Sequence, residues 1–327
     1  MKIIITGATG AFGAAMVRYF SAKGHEIIAV GRTENPPKEL LNMALYLQHD
    51  ICEPYDLPEA DVCIHGAALS DDKATDKELF MPNIMGTKNT VLASKKCKKF
   101  IYISSSSVYL PDSLPLSEDM AGNQNNHLLS SYGKSKLAAE EMFQKTYLGE
   151  AGFILRPRAF YGPGDTQIMP RMMHLVKNGI FNKPGNLEIS LSMTHYDNIA
   201  SAIESCMVSD LKGIRTYNVA DQEEYIMIDT LRALFKTIYK KTLPEKKINS
   251  TILKFLGFFR IAGFTPLLVR ALTQNMVLNL SKIENELGYK SIISFDESLA
   301  EIGQWVEQIG GAEALITGDK KMIWKNI

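Results

Sequence analysis

The chain has 327 residues, 46% of them hydrophobic, and its 36 Lys and Arg balance 36 Asp and Glu, leaving no net charge at pH 7. That length is enough to bury a large core, as one big domain or two closely joined ones. The balance excludes a field that would draw nucleic acid or an acidic membrane surface, so the expected partners are small molecules.

In chain order, Ile3, Ile4 and Ile5 read as an apolar strand that runs into Thr6-Gly7-Ala8-Thr9-Gly10-Ala11-Phe12-Gly13. Glycines three residues apart between a strand and a helix let the backbone turn tightly and let a phosphate approach the unpaired amides of the helix start. Phe12, Met16, Tyr19 and Phe20 then recur at helical spacing, Gly24 offers a left-handed stop, and 26–30 reads as a second strand. The segment is one βαβ unit built for a dinucleotide. Met1 leads directly into the first strand, which predicts no leader peptide. Cys52, Cys63, Cys97 and Cys206 lie far apart, so neither a zinc motif nor a disulfide framework is expected, and a reducing cytoplasm fits. No metal site is expected, because the histidines have no partners at metal-ligand spacing.

At the end of the second strand, where a carboxylate would accept a hydrogen bond from the ribose 2′-hydroxyl of NAD, the chain has Gly31-Arg32-Thr33. Arg32 suits a 2′-phosphate, which favours NADP; Glu34 nearby keeps NAD open. Further strands are expected at 61–65, leading into Gly66-Ala67-Ala68, at 100–104 and at 152–155, with helices over 85–95 and 130–147. The alternation predicts an α/β fold, a doubly wound parallel sheet with helices on both faces. After Tyr161-Gly162-Pro163-Gly164 the pattern loosens. The expected division is a Rossmann domain over 1–165 and a smaller substrate lobe over 166–327, with 194–222 returning to the sheet. The stretch 252–272 is rich in Leu, Phe and Ile, but Lys254, Arg260 and Arg270 interrupt it, so it does not span a bilayer. It reads as core helices of that lobe or as a lipophilic lid.

The chemistry lies in Tyr132-Gly133-Lys134-Ser135-Lys136. Four-residue spacing puts Tyr132 and Lys136 on one helix face, where an ammonium favours the phenolate and suits the tyrosine to acid–base work. The run Ser104-Ser105-Ser106-Ser107 ends the preceding strand at the edge of a parallel sheet that lines the ligand crevice.

Together these motifs resemble the extended short-chain dehydrogenase/reductases, a group of nucleotide-sugar epimerases, dehydratases, hydroxysteroid dehydrogenases and ketone reductases. The resemblance extends through Asn83 with Gly86-Thr87, Leu155-Arg156-Pro157, His195-Tyr196-Asp197-Asn198, Tyr217-Asn218-Val219 and Glu286-Leu287-Gly288-Tyr289. It implies Ser105 as the catalytic hydroxyl, with Ser106 as a second candidate, Tyr132 as the acid/base, and Lys136 as both its tuner and a ligand of the nicotinamide ribose. It implies a cofactor site of Gly7, Thr9, Gly10, Ala11, Phe12, Gly13, Arg32, Asp50, Ile51, Ala67, Ala68, Tyr132, Lys136 and Pro157. It also implies a homodimer, with the helices over 85–95 and 130–147 as its face, and a His195 that fixes the second lobe against the sheet. The segment before His195 lacks the arginine expected of nucleotide-sugar enzymes. The expected activity is therefore hydride transfer between NADP, or NAD as the alternative, and a lipophilic or β-functionalised ketone or alcohol. The alternative is a nucleotide-sugar epimerase or dehydratase with tightly held NAD. Arg158, Arg171, His174, Lys177 and Lys183 are candidate cationic contacts from the second lobe.

Overall fold

The computed structural model of the chain describes residues 1–71, 74–112, 114–122, 126–248 and 273–325. Its centre is a sheet of seven strands: β1 (Lys2–Thr6), β2 (Glu26–Gly31), β3 (Leu45–Gln48), β4 (Ala60–His65), β5 (Cys97–Ile103), β6 (Ala151–Pro157) and β7 (Gly213–Val219). Their spatial order is β7-β6-β5-β4-β1-β2-β3, and each neighbouring pair is parallel. The chain builds outward from β1 in one direction through β2 and β3, then restarts at β4 and builds the other way. The switch between β1 and β4 opens a crevice at the carboxyl ends of those strands, where ligands of such sheets bind.

The strands are apolar on both faces because helices cover both. Ile3 and Ile5 of β1 join the cluster that includes Met16, Val17 and Phe20 of α1 (Ala11–Ala22) and Ile199 and Ile203 of the helix Tyr196–Val208. Ile4 points the other way, into a cluster with Val91 of the helix Gly86–Ala93 and Ala139 and Phe143 of the helix Ser131–Thr146. This is the two-residue alternation of a strand buried on both sides.

A second cluster lies beyond the strand ends. Met169, Phe181, Leu231, Phe235, Trp305 and Val306 pack together from the helices Ile168–Met173, Met227–Tyr239 and Phe295–Ile309 and a small sheet holding Ile180–Pro184. His195 joins the two parts: its Nε2 stands 2.8 Å from Glu301 Oε1, and its backbone amide donates to Asp221 at 2.9 Å. The C-terminal turn Lys320–Trp324, for which the sequence offers no account, packs on α1, where Arg18 donates to the carbonyl of Ile323 at 3.0 Å. The apolar stretch 252–272 lies outside the described residues. Among the described residues no helix is long and apolar enough to cross a membrane.

Candidate active site

The crevice is a cleft of about 1990 Å³ that runs from the glycine turn to the second lobe. Gly7, Thr9, Gly10, Ala11, Phe12, Gly13, Arg32, Asp50, Ile51, Ala67, Ala68, Ser105, Tyr132, Lys136 and Pro157 all stand on its lining. These residues are up to 150 positions apart in the chain, and the switch in strand order brings them together.

At one end the glycine turn packs backbone against backbone too closely for side chains at two of its glycines. Gly7 has φ 73°, and a Cβ on it would sit 2.8 Å from Ala67 Cα; one on Gly13 would sit 2.3 Å from the carbonyl oxygen of Gly7. The N-terminus of α1 has Gly10 as its cap with no side-chain hydrogen bond, so the first amides of the helix remain available to an anion. A pyrophosphate fits such a cradle. Past β2, Arg32 and Thr33 line the cleft, and the Tyr46 hydroxyl donates to the carbonyl of Thr33 at 2.8 Å. Arg32 is exposed and lies close enough to Asp50 to help hold that carboxyl below its ordinary range, after the larger effect of the Cys52 amide.

Under the middle of the cleft a buried polar chain stiffens the loop after β4. Thr6 Oγ1 and His65 Nδ1 are 2.7 Å apart, His65 Nε2 and Thr87 Oγ1 are 3.1 Å apart, and Thr6 Oγ1 accepts from the Ala67 amide at 3.2 Å. Burial, with a further contribution from Lys136, pulls the His65 pKa down to about 3, so the ring is neutral and structural. Asn83 performs a similar service: it accepts from the Leu69 amide at 2.7 Å and donates to Ser135 Oγ at 2.9 Å.

The end of the cleft that holds Tyr132 and the serine run depends on one close approach. Ser130 caps the helix Ser131–Thr146 by accepting from the Gly133 amide at 3.0 Å. A Cβ on Gly133 would lie 2.2 Å from the carbonyl oxygen of Ser107. The missing side chain therefore allows the first turn carrying Tyr132 to press against the serine turn. The four serines separate by environment. Ser104 is buried and donates to Glu140, Ser106 is buried, and Ser105 donates to Ser107 Oγ at 3.1 Å within the cleft lining.

Lys136 is buried, donates from Nζ to the carbonyl of Ile103 at 2.6 Å, and lies 4.5 Å over the Tyr102 ring. Desolvation pulls its pKa down to about 7, against the opposing pull of Glu140. Glu140 in turn takes a two-pronged contact from Arg156, Nε to Oε1 at 2.9 Å and NH2 to Oε2 at 2.6 Å. Arg156 also donates to the Tyr109 hydroxyl, and that hydroxyl donates to Asn218, each at 2.7 Å. Burial works against the Arg156 charge, yet these partners leave the guanidinium above its ordinary pKa. Sequence spacing shows the Tyr132 and Lys136 pair but not Glu140; a lone acidic residue on a helix carries no signal of a partner 16 positions later.

Arg158, just past β6, reaches the lining, as do Arg171 and His174 of the second lobe with Met172, Leu175, Leu191, Met227, Leu231 and Met276. Lys183 instead pairs with Glu245 at 3.1 Å, and Lys177 stands off the lining, so neither serves as a cleft cation.

The model of the NAD dependent epimerase/dehydratase family matches residues 3–220. The chain belongs to that family. It is an NAD(P)-dependent oxidoreductase of the extended short-chain dehydrogenase/reductase type. Among curated proteins it is 25% identical to the uncharacterized protein YbjS of Escherichia coli K12, over 95% of this chain and 99% of that protein. It is 23% identical to a 2-alkyl-3-oxoalkanoate reductase of Stenotrophomonas maltophilia, covering 92% of this chain and 98% of the relative. Among solved structures, UDP-glucuronic acid 4-epimerase from Bacillus cereus in complex with NAD superposes with a TM-score of 0.73 at 20% identity, covering 94% of this chain and 99% of that one. This last likeness is one of fold.

Proposed function

We propose that this family member is an NADP-dependent reductase or dehydrogenase that interconverts a ketone and a secondary alcohol on a lipophilic or β-functionalised substrate. The observation that carries the reading is that the cleft lined by Ser105 and Tyr132 is also lined by the apolar side chains of Met172, Leu175, Leu191, Met227 and Leu231. Each methylene buried on such a wall contributes about 0.8 kcal/mol, which favours an alkyl-bearing ketone over a sugar. The name of the Stenotrophomonas maltophilia relative, a 2-alkyl-3-oxoalkanoate reductase, supports the same chemistry. In this reading residues over 1–165 hold the cofactor, those over 166–327 shape the substrate pocket, and Arg32 meets the 2′-phosphate.

The nicotinamide, when bound, supplies or accepts the hydride. Tyr132 gives its phenolic proton to the carbonyl oxygen during reduction and takes it back during oxidation, while the Ser105 hydroxyl steadies the charge that develops on that oxygen. Lys136, anchored on the carbonyl of Ile103, would tune the phenol and hold the nicotinamide ribose.

The test is loss of NADPH absorbance on mixing with medium-chain ketones. Steady oxidation is expected, and Tyr132→Phe should lower kcat/KM by about 10²- to 10⁴-fold with NADPH affinity kept. No net oxidation with any ketone, together with NAD retained through purification, would turn the assignment toward internal redox recycling of an epimerase.

A further inference from the structure

Two arginines follow one another closely at the end of β6, and among the described residues only one of them pairs with a carboxylate. Arg156 is held by Glu140 and Tyr109 as described above. Arg158 has a single weak side-chain contact, Nε to the carbonyl of Met276 at 3.4 Å, and among the described residues no carboxylate pairs with it. Arg158 is half-buried on the cleft lining, and desolvation draws its pKa down to about 10. A guanidinium held that way costs free energy until an anion arrives.

The position is nevertheless built with care. The Arg158 amide donates to Thr194 Oγ1 at 3.1 Å, and Thr194 Oγ1 donates back to the Arg158 carbonyl at 2.7 Å. The next residue, Ala159, sits at φ 43°, a left-handed conformation that a side chain disfavours. That kink directs the chain away from the sheet immediately after Pro157, which is on the cofactor side of the lining. Met276, the residue Arg158 touches, packs in one cluster with Val108 and Tyr109, three and four positions past Ser105. Arg158 thus shares one cleft lining with Ser105 and Tyr132 and with the apolar Leu191, Met227 and Leu231.

We infer that Arg158 is the anchor for a substrate carboxylate, so that the natural substrate is an apolar oxo acid or hydroxy acid held by its acid group at the sheet end and by its chain against the second lobe. This rests on the ketone/alcohol reading above. Arg158 binds and orients, with no part in the proton or hydride transfer. A planar guanidinium takes both carboxylate oxygens at once, which fixes the carbonyl carbon relative to Tyr132.

Two measurements test it. The first compares an alkyl 3-oxo acid with its methyl ester: wild type should favour the acid, and Arg158→Gln should lower the acid-to-ester ratio of kcat/KM by about 10- to 100-fold, mainly through KM of the acid. Arg158→Lys should recover part of that ratio. The second needs no turnover: octanoate should bind the wild-type NADPH complex, read by nicotinamide fluorescence, at least about tenfold more tightly than octanol, and lose that margin in Arg158→Gln. Equal preference for acid and ester, or equal binding of octanoate and octanol, would overturn the anchor. Tighter binding of octyl phosphate than of octanoate would assign the pocket to a phosphate instead and overturn it as stated. If octanoate binds through Arg158 but no oxo acid is reduced, the anchor stands and the redox assignment is what fails.

Discussion

The floor of the cleft and the wall that faces it treat their polar groups differently. On the floor, formed by the sheet ends and the helices beneath them, Arg156 has Glu140, His65 has Thr6 and Thr87, and Lys136 has the carbonyl of Ile103. Where the sheet gives way to that wall, just past β6, Arg158 has among the described residues only a long contact to the Met276 carbonyl, and Leu191, Met227 and Leu231 share the lining with it. A partnered floor keeps its shape with nothing bound, as a surface must when it presents Tyr132 and Ser105 at fixed positions. A wall with an unneutralised cation completes itself only with its ligand, which ties affinity to the charge of the substrate.

Three variants break or sharpen this contrast. The largest effect is expected at the floor. Glu140→Gln leaves the buried Arg156 charge without its counter-ion and should cost about 3–5 kcal/mol of stability, measured by urea unfolding. A loss no larger than that of a surface substitution would mean the floor does not depend on its ion pair. Next is Gly133→Ala, whose new methyl would meet the Ser107 carbonyl at 2.2 Å and push the tyrosine turn from the serine turn. Turnover should fall about 10²-fold, since a displacement near 1 Å at reacting groups costs that much, while NADP affinity measured by fluorescence titration changes little. Unchanged turnover would show that the two turns do not need their close approach. The smallest effect belongs to the exposed Arg32 at the far end of the floor. Arg32→Ala should lower the NADP-to-NAD ratio of kcat/KM by about tenfold, the loss of one charged contact to a 2′-phosphate. A ratio that does not move would return the site to NAD.

Several features were legible because they are local. The glycine turn, the helix after it and the second strand are set by neighbours within about 30 residues, and their periodicities survive in the sequence. The same holds for Tyr132 and Lys136, four apart on one helix. The spacing does not show that the Lys136 ammonium also closes on the carbonyl of Ile103, on a strand 33 residues earlier. Lys183 illustrates the opposite failure: it looks like a free cation in sequence, and the pairing of the strands Ile180–Pro184 and Glu245–Ile248 places it against Glu245.

By itself, then, the chain's order of residues determined a parallel α/β sheet, a glycine turn between its first strand and helix, and a tyrosine and lysine on one helix face, since each of these is written in spacing along one element or one turn. Tertiary structure alone decided that Glu140 answers Arg156, that Gly133 opens the way for Tyr132, and that Arg158 meets Met276 across 118 residues with no carboxylate beside it among the described residues. Contacts between distant segments depend on how the helices and the second lobe pack on the sheet, and no periodicity along the chain records that packing.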